Sequence, residues 1–267
     1  MSRVILVCMA LCALRLAAAA ESDLLPVVAG EVLHANTVEF GLLSFRDVVT
    51  RPELRGRQLI FDRCQGKTYG GMVYGSLAVE LPPADHPDAA TMYRGRFELA
   101  NADLATVLRQ LSGNQQSLSG VVSGWLEFAI PSDRPEQMTG RGELTIRKAS
   151  LVQLPVLANL LVGDPAGAKG QDQLDTRFEI GDGKLTLVFA RLDSPAAQIS
   201  IAGHIDFNGD LHLGIEPAFT NKVADAVSLG VATLILNPLT RRAARFAVRG
   251  QITHPVLVSD PFGSSKE

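Results

Sequence analysis

Cysteine is nearly absent: three residues in 267, Cys8, Cys12 and Cys64. The first two lie in an apolar N-terminal stretch, which leaves Cys64 without a partner for an internal disulfide. A disulfide-stapled fold is therefore excluded, and Cys64 reads as structural. Aromatic residues are scarce at 6%, and Trp125 is the only tryptophan. Any apolar surface is then mainly aliphatic, built from Leu, Ile and Val. There is no basic excess, with 25 Lys+Arg against 28 Asp+Glu and a formal charge of −3. That balance argues against nucleic acid as a partner. No uninterrupted apolar run reaches the length of a bilayer span. No G-x-S-x-G elbow, H-E-x-x-H pair or P-loop occurs, and the five histidines are scattered. The chain therefore reads as non-enzymatic, with no cofactor. What is present is an ordinary globular balance, 46% hydrophobic and 20% charged, which excludes a disordered chain. A chain of this length buries a substantial core.

The N-terminus has the pattern of a secretory signal over residues 1–20. Arg3 precedes an apolar run of 11 residues, Val4–Leu14, and Ala17–Ala20 offers small residues for cleavage after Ala20. Cleavage removes Arg3 and Arg15 and no acidic residue, which moves the formal charge from −3 to −5. An exported, disulfide-free protein fits the periplasm of a double-membraned bacterium.

The body of the chain alternates with period two, the pattern of half-buried antiparallel strands. Leu144 and Ile146 oppose Arg141, Glu143, Thr145 and Arg147. Leu174, Phe178 and Ile180 oppose Asp175, Arg177 and Glu179. Ile199, Ile201, Ile205 and Phe207 oppose Ser200, His204 and Asp206. Asp182-Gly183 suits a two-residue type I′ turn, which pairs Ile180 with Leu185 and Phe178 with Leu187. Around Asn208-Gly209 an odd loop, Asn208–Asp210, is needed to keep apolar residues together. It is expected to pair Ile205 with Leu213 and His204 with His212. Two histidines without a nearby Cys, Asp or Glu set are too few for zinc, so they read as solvated surface residues.

Three helices are expected among roughly ten strands. Asn101 caps Ala102–Leu111, where Leu104, Val107, Leu108 and Leu111 share a face. The others are Val156–Val162, after Pro155, and Asn221–Leu236, which Asn237-Pro238 ends. Segments 82–90, 131–137 and 163–170 read as linkers. An internal repeat is also visible. Gly71-Met-Val-Tyr-Gly-Ser-Leu-Ala-Val-Glu-Leu81 returns 49 residues later as Gly120-Val-Val-Ser-Gly-Trp-Leu-Glu-Phe-Ala-Ile130. Gly95-Arg-Phe-Glu-Leu99 returns as Gly140-Arg-Gly-Glu-Leu144. The fold expected is mainly β with a few short helices. It is an extended, curled antiparallel sheet, a β-groove built from repeated hairpin-plus-helix units.

Several segments resemble a known family. Leu118–Leu126 and Gly140–Pro155 resemble strands of the AsmA-like C-terminal domain. Phe178–Gly183, Leu192–Pro195, Ile201–Asp206 and Val248–Pro255 follow in the same order as that domain's motifs. The resemblance, to the AsmA/TamB superfamily of bacterial envelope proteins, covers about residues 58–257. It implies a periplasmic β-groove that holds phospholipid or another acyl lipid, for outer-membrane lipid homeostasis or assembly. Long members with an N-terminal anchor bridge two membranes. A short chain with a cleavable leader suits a shuttle, an end-piece or a subunit. The expected division is 1–20 signal peptide, 21–57 N-terminal β segment, 58–257 groove domain and 258–267 disordered tail.

The candidate acyl-chain contacts are Leu126, Phe128, Ile130, Leu144, Ile146, Phe178, Ile180, Leu185, Leu187, Ile199, Ile201, Ile205 and Phe207. Leu229 and Leu234 in the Asn221–Leu236 helix, with Arg241, Arg242, Arg245 and Arg249 after it, are candidates for a membrane surface or an envelope protein partner. The competing expectation is a non-enzymatic assembly module whose β core is sealed by its helices, using the same residues for packing.

Overall fold

Thirteen strands in sequence order, each hydrogen-bonded to those before and after it, form one antiparallel sheet. The computed structural model of the chain describes residues 32–40, 43–83, 85–86, 89–112, 118–151, 171–195, 197–219, 245–252 and 254–260. The strands are β1 (Leu33–Phe40), β2 (Leu43–Arg55), β3 (Gln58–Thr68), β4 (Gly71–Glu80), β5 (Met92–Asp103), β6 (Val121–Pro131) and β7 (Thr139–Ala149). They continue as β8 (Asp172–Gly181), β9 (Lys184–Asp193), β10 (Ala197–Asp206), β11 (Asp210–Phe219), β12 (Phe246–Gln251) and β13 (His254–Ser259). The first and last strands do not pair, so the sheet is not closed. β2 pairs with β3 across the turn at Gly56-Arg57.

Local turn chemistry sets this meander. Asp182 and Gly183 both have positive φ, at 51° and 71°, as a type I′ turn requires. The register that follows pairs Ile180 with Leu185 and Phe178 with Leu187, as expected from the sequence. At the β10–β11 hairpin His204 does pair with His212, but Ile205 pairs with Leu211 rather than Leu213. The loop is Phe207–Gly209, closed by Gly209 N–H donating to the Asp206 carbonyl at 2.8 Å. Phe207 therefore lies in the turn and takes no place in the ladder.

Among the described residues there is one α-helix, α1 (Leu104–Ser112). The strand before it runs on through Asp103, so the cap is Asp103 and not Asn101. Its carboxylate accepts from the amides of Ala105 at 3.1 Å and Thr106 at 3.3 Å. Leu104, Val107 and Leu108 pack on the sheet, while the Leu111 side chain falls outside the described residues. The helices expected at 156–162 and 221–236, and the linker at 163–170, also lie outside them. A helix after every hairpin is not supported. The repeated segments fall on strands, Gly71 and Gly75 in β4, Gly124 in β6, Gly95 in β5 and Gly140 in β7, but the two hairpins differ in register, since Gly95 pairs with Leu77 and Gly140 with Phe128 rather than Leu126.

The most buried residues form one cluster, to which α1 contributes Leu104. Ala102, Ala149, Ala197 and Ile199 are fully buried there, beside Leu104, Val122, Ile146 and Leu192. Tyr69, in the β3–β4 turn, is buried in the same cluster with φ 50°. Its hydroxyl has no hydrogen-bond partner among the described residues, and burial pushes its pKa up to about 12. An unpaired buried hydroxyl costs about 1–3 kcal/mol. Tyr69→Phe is therefore expected to raise the unfolding free energy by about 1 kcal/mol in urea titration. A loss of stability instead would mean that the hydroxyl has a partner.

Candidate functional site

The register gives the sheet an apolar and a polar face, and from β3 to β13 the apolar face carries two continuous rows. On one face, cross-strand partners run Phe61, Leu77, Gly95, Phe128, Gly140, Ile180, Leu185, Ile205, Leu211, Gly250 and Pro255. The next row runs Cys64, Gly75, Phe97, Leu126, Gly142, Phe178, Leu187, Gly203, Leu213, Val248 and Leu257. Neither row contains a charged residue. At about 4.8 Å per strand, the eleven strands from β3 to β13 carry this stripe for about 48 Å.

Glycines and phenylalanines alternate to level this face. A Cβ on Gly95 would meet the Phe128 ring at 2.7 Å, and one on Gly142 would meet the Phe178 ring at 2.6 Å. Each ring therefore lies over its cross-strand glycine and fills the space of the missing side chain. Phe97 stacks on Phe128 with centroids 6.3 Å apart. Bulges in β2, β3, β5, β7 and β9 bend and twist the ladder.

The sequence-derived candidates divide in two. Leu126, Phe128, Leu144, Phe178, Ile180, Leu185, Leu187, Ile201 and Ile205 are half-buried on the apolar face. Ile130, Ile146 and Ile199 are buried at 4%, 7% and 0% exposure, packed within the protein. Phe207 sits in the turn. The same face also carries Phe61, Leu77, Phe97, Leu213 and Leu257, which the sequence reading missed. Their signal was present, since Phe97 follows Gly95 by two residues and so shares its face. Of the basic candidates, Arg245 is paired with Glu216 at 2.8 Å, and Arg249 lies on the opposite, polar face. Leu229, Leu234, Arg241 and Arg242 lie outside the described residues.

The polar face carries alternating charge. Arg96, Glu127, Arg141 and Glu179 are successive cross-strand partners. Glu127 accepts from Arg141 at 3.1 Å and from Arg96 at 3.4 Å, and Arg96 also covers the Trp125 ring at 4.7 Å. Hydrogen bonds from Arg177 and then Trp125 hold the Glu143 carboxyl below the usual range. At Asp193 burial acts upward, but bonds from Gln198 and Arg191 prevail and lower it. Exposed pairs of this kind add about 0–1 kcal/mol each, so they fix which face meets water more than they stabilise the sheet. A recess of about 550 Å³ on this face is walled by Arg94, Arg96, Glu127 and Arg141 over Ser76, Ala78 and Ala129. Its three guanidinium groups share two carboxylates, Glu80 and Glu127, so each is paired and one net positive charge remains.

Cys64 stands on the apolar row with its Sγ 3.2 Å from Thr50 Oγ1. Burial pushes its thiol pKa up, which keeps it protonated and a poor nucleophile. One expectation needs correction. His204 and His212 do not stand without a carboxylate: Asp206, two residues after His204 on the same strand, faces both rings.

No helix among the described residues is long and apolar enough to cross a membrane. No protein-family model, curated protein or solved structure matches the chain.

Proposed function

We propose that the chain is a lipid-handling protein of the bacterial envelope, which holds acyl chains against the apolar face of its sheet. The observation that carries this reading is the pair of uncharged cross-strand rows. They run across eleven of the thirteen strands and keep large side chains such as Phe178, Leu187 and Leu213 only half-buried. A single sheet with one apolar face must cover that face with something, because apolar area left in water costs about 25 cal/mol per Å². An acyl chain makes no demand for hydrogen bonds, and these rows offer none from their side chains. The AsmA-like segments support the same reading, as does the leader-like N-terminus, which would place the protein in the periplasm.

Within this reading the rims and the stripe have different roles. Ile130, Ile146 and Ile199 hold the ends of the trough together, and the half-buried stripe between them binds. The polar face, with its alternating charges, meets water. The chain acts as a carrier or a piece of a larger conduit, and the membrane meets it through the segment 221–249.

The test is native mass spectrometry of the protein purified from the periplasm of an expressing bacterium. Stoichiometric phospholipid is expected on the protein. A clean apo mass, together with no uptake of added phospholipid, would overturn the proposal and leave a sealed assembly module in its place.

A further inference from the structure

At the far rim from α1, on the polar face, three potential metal ligands converge on one point. We infer that His204, Asp206 and His212 form a binding site for a divalent transition ion of the zinc, cobalt or nickel class. The site is independent of the apolar trough, since it lies on the opposite face.

The geometry follows from the ladder. Residues i and i+2 of a strand share a face, so Asp206 stands beside His204. His212 is the direct cross-strand partner of His204. The two rings stack with centroids 4.7 Å apart, and both present Nε2 to the same carboxylate. His212 Nε2 is 3.3 Å from Asp206 Oδ2, and His204 Nε2 is 3.7 Å from Oδ1. Ligand atoms bonded at about 2.0–2.1 Å to one tetrahedral ion are about 3.4 Å apart. Both measured edges are close to that value, and one ligand atom from each of the three residues lies within 4.8 Å of the others. Side-chain exposures of 29% for His204 and 41% for His212 leave the rings room to turn inward and let an ion enter.

The backbone beneath the site is held in place. Asp210 N–H donates to Asn208 Oδ1 at 3.0 Å, and Asn208 Nδ2 donates to Asp210 at 2.7 Å. The Gln251 amide donates to the Asp210 carboxylate, and Ile252 N–H donates to the Gly209 carbonyl at 2.9 Å. The turn that sets His212 opposite His204 is thus tied to β12. A site built on such paired strands loses little entropy on binding.

The donor set names the ion class. Two neutral imidazoles and one carboxylate suit borderline ions, whereas calcium and magnesium require mostly oxygen ligands. Three protein ligands leave a position for water or an anionic oxygen. Lys184, opposite Asp206, and Arg249, opposite His212, flank the site with positive charge.

The experiment titrates cobalt(II) into the full chain, carrying no affinity tag, and follows visible absorption, with zinc calorimetry in parallel. One equivalent is expected to bind. His204→Ala, His212→Ala and Asp206→Asn should each weaken binding by more than about tenfold, with unchanged circular-dichroism melts. His34→Ala and His86→Ala should leave it unchanged. No binding to the wild-type chain, binding indifferent to all three substitutions, or loss on His34→Ala would each overturn the assignment.

Discussion

Replacing Gly203 with alanine is expected to lower the unfolding free energy by more than about 3 kcal/mol, one of the larger effects a single methyl group can have. Gly203 has φ 129°, a region that residues with a side chain rarely enter. A Cβ there would stand 2.0 Å from the His212 carbonyl oxygen and 3.0 Å from the Leu213 Cα. Both are backbone atoms of the neighbouring strand, so neither yields by a rotamer change. The position also closes the bulge at which β10 shifts its register against β9, between Ser200 and Gly203. Gly214→Ala is the control. Its nearest neighbour would be the Ala202 carbonyl oxygen at 3.8 Å, an ordinary contact. Urea titration of the two variants should separate them clearly. Equal stability would mean that the bulge does not hold the geometry described.

The second large effect concerns the trough. Phe178→Asp is expected to reduce lipid co-purification at least tenfold, because a carboxylate placed among acyl chains must lose its hydration without gaining a partner. Phe178 lies over Gly142 near the middle of the apolar row. Phe189→Asp should leave lipid content unchanged, since Phe189 is 47% exposed and pairs with Arg177 on the polar face. The two substitutions have the same chemistry and differ in face. Native mass spectra of both variants, beside melting curves that establish their folding, isolate the face as the variable. Equal lipid content in the two would remove the trough as the binding surface. Phe178→Ala serves where the charge disturbs folding: it vacates the ring's space without adding a buried carboxylate.

The faces of the strands were legible because alternation requires only the order of residues. Leu144 and Ile146, Phe178 and Ile180, and Leu185 and Leu187 all stand on the face that the sequence assigns them. The Asp182-Gly183 turn was legible because few residue pairs accept positive φ twice. Exact loop placement at Asn208-Gly209 was not. Loops at 207–209 and 208–210 are both odd and both keep the faces in phase, so hydrophobic pattern cannot choose between them. The hydrogen bonds of Gly209, Asn208 and Asp210 decide it. The helix cap moved for a related reason. Asn101 and Asp103 both suit the role, and only the length of β5 selects Asp103. At the metal-ligand cluster the third group was in plain view as His-x-Asp. The alternation already put Asp206 on the face of His204; what it does not encode is that both imidazoles turn toward that carboxylate. The separation of buried Ile199 from half-buried Ile201 depends on tertiary packing, which no local pattern encodes.

The order of the strands also bears on how such a sheet assembles and changes. Because every strand lies between its sequence neighbours, most pairings close a short length of chain; the exceptions are β7–β8 and β11–β12, whose strands are separated by 22 and 26 residues. Entropy is lost in small instalments, and native contacts accumulate locally, so assembly need not wait for distant segments to meet. Stability then approximates a sum of strand terms and nearest-neighbour interfaces, as in a linear array. A hairpin can be inserted or removed as a unit, and all other pairings keep their partners and both faces keep their phase. Growth by pairs of strands lengthens the apolar stripe in steps of about 10 Å without redesigning any existing residue.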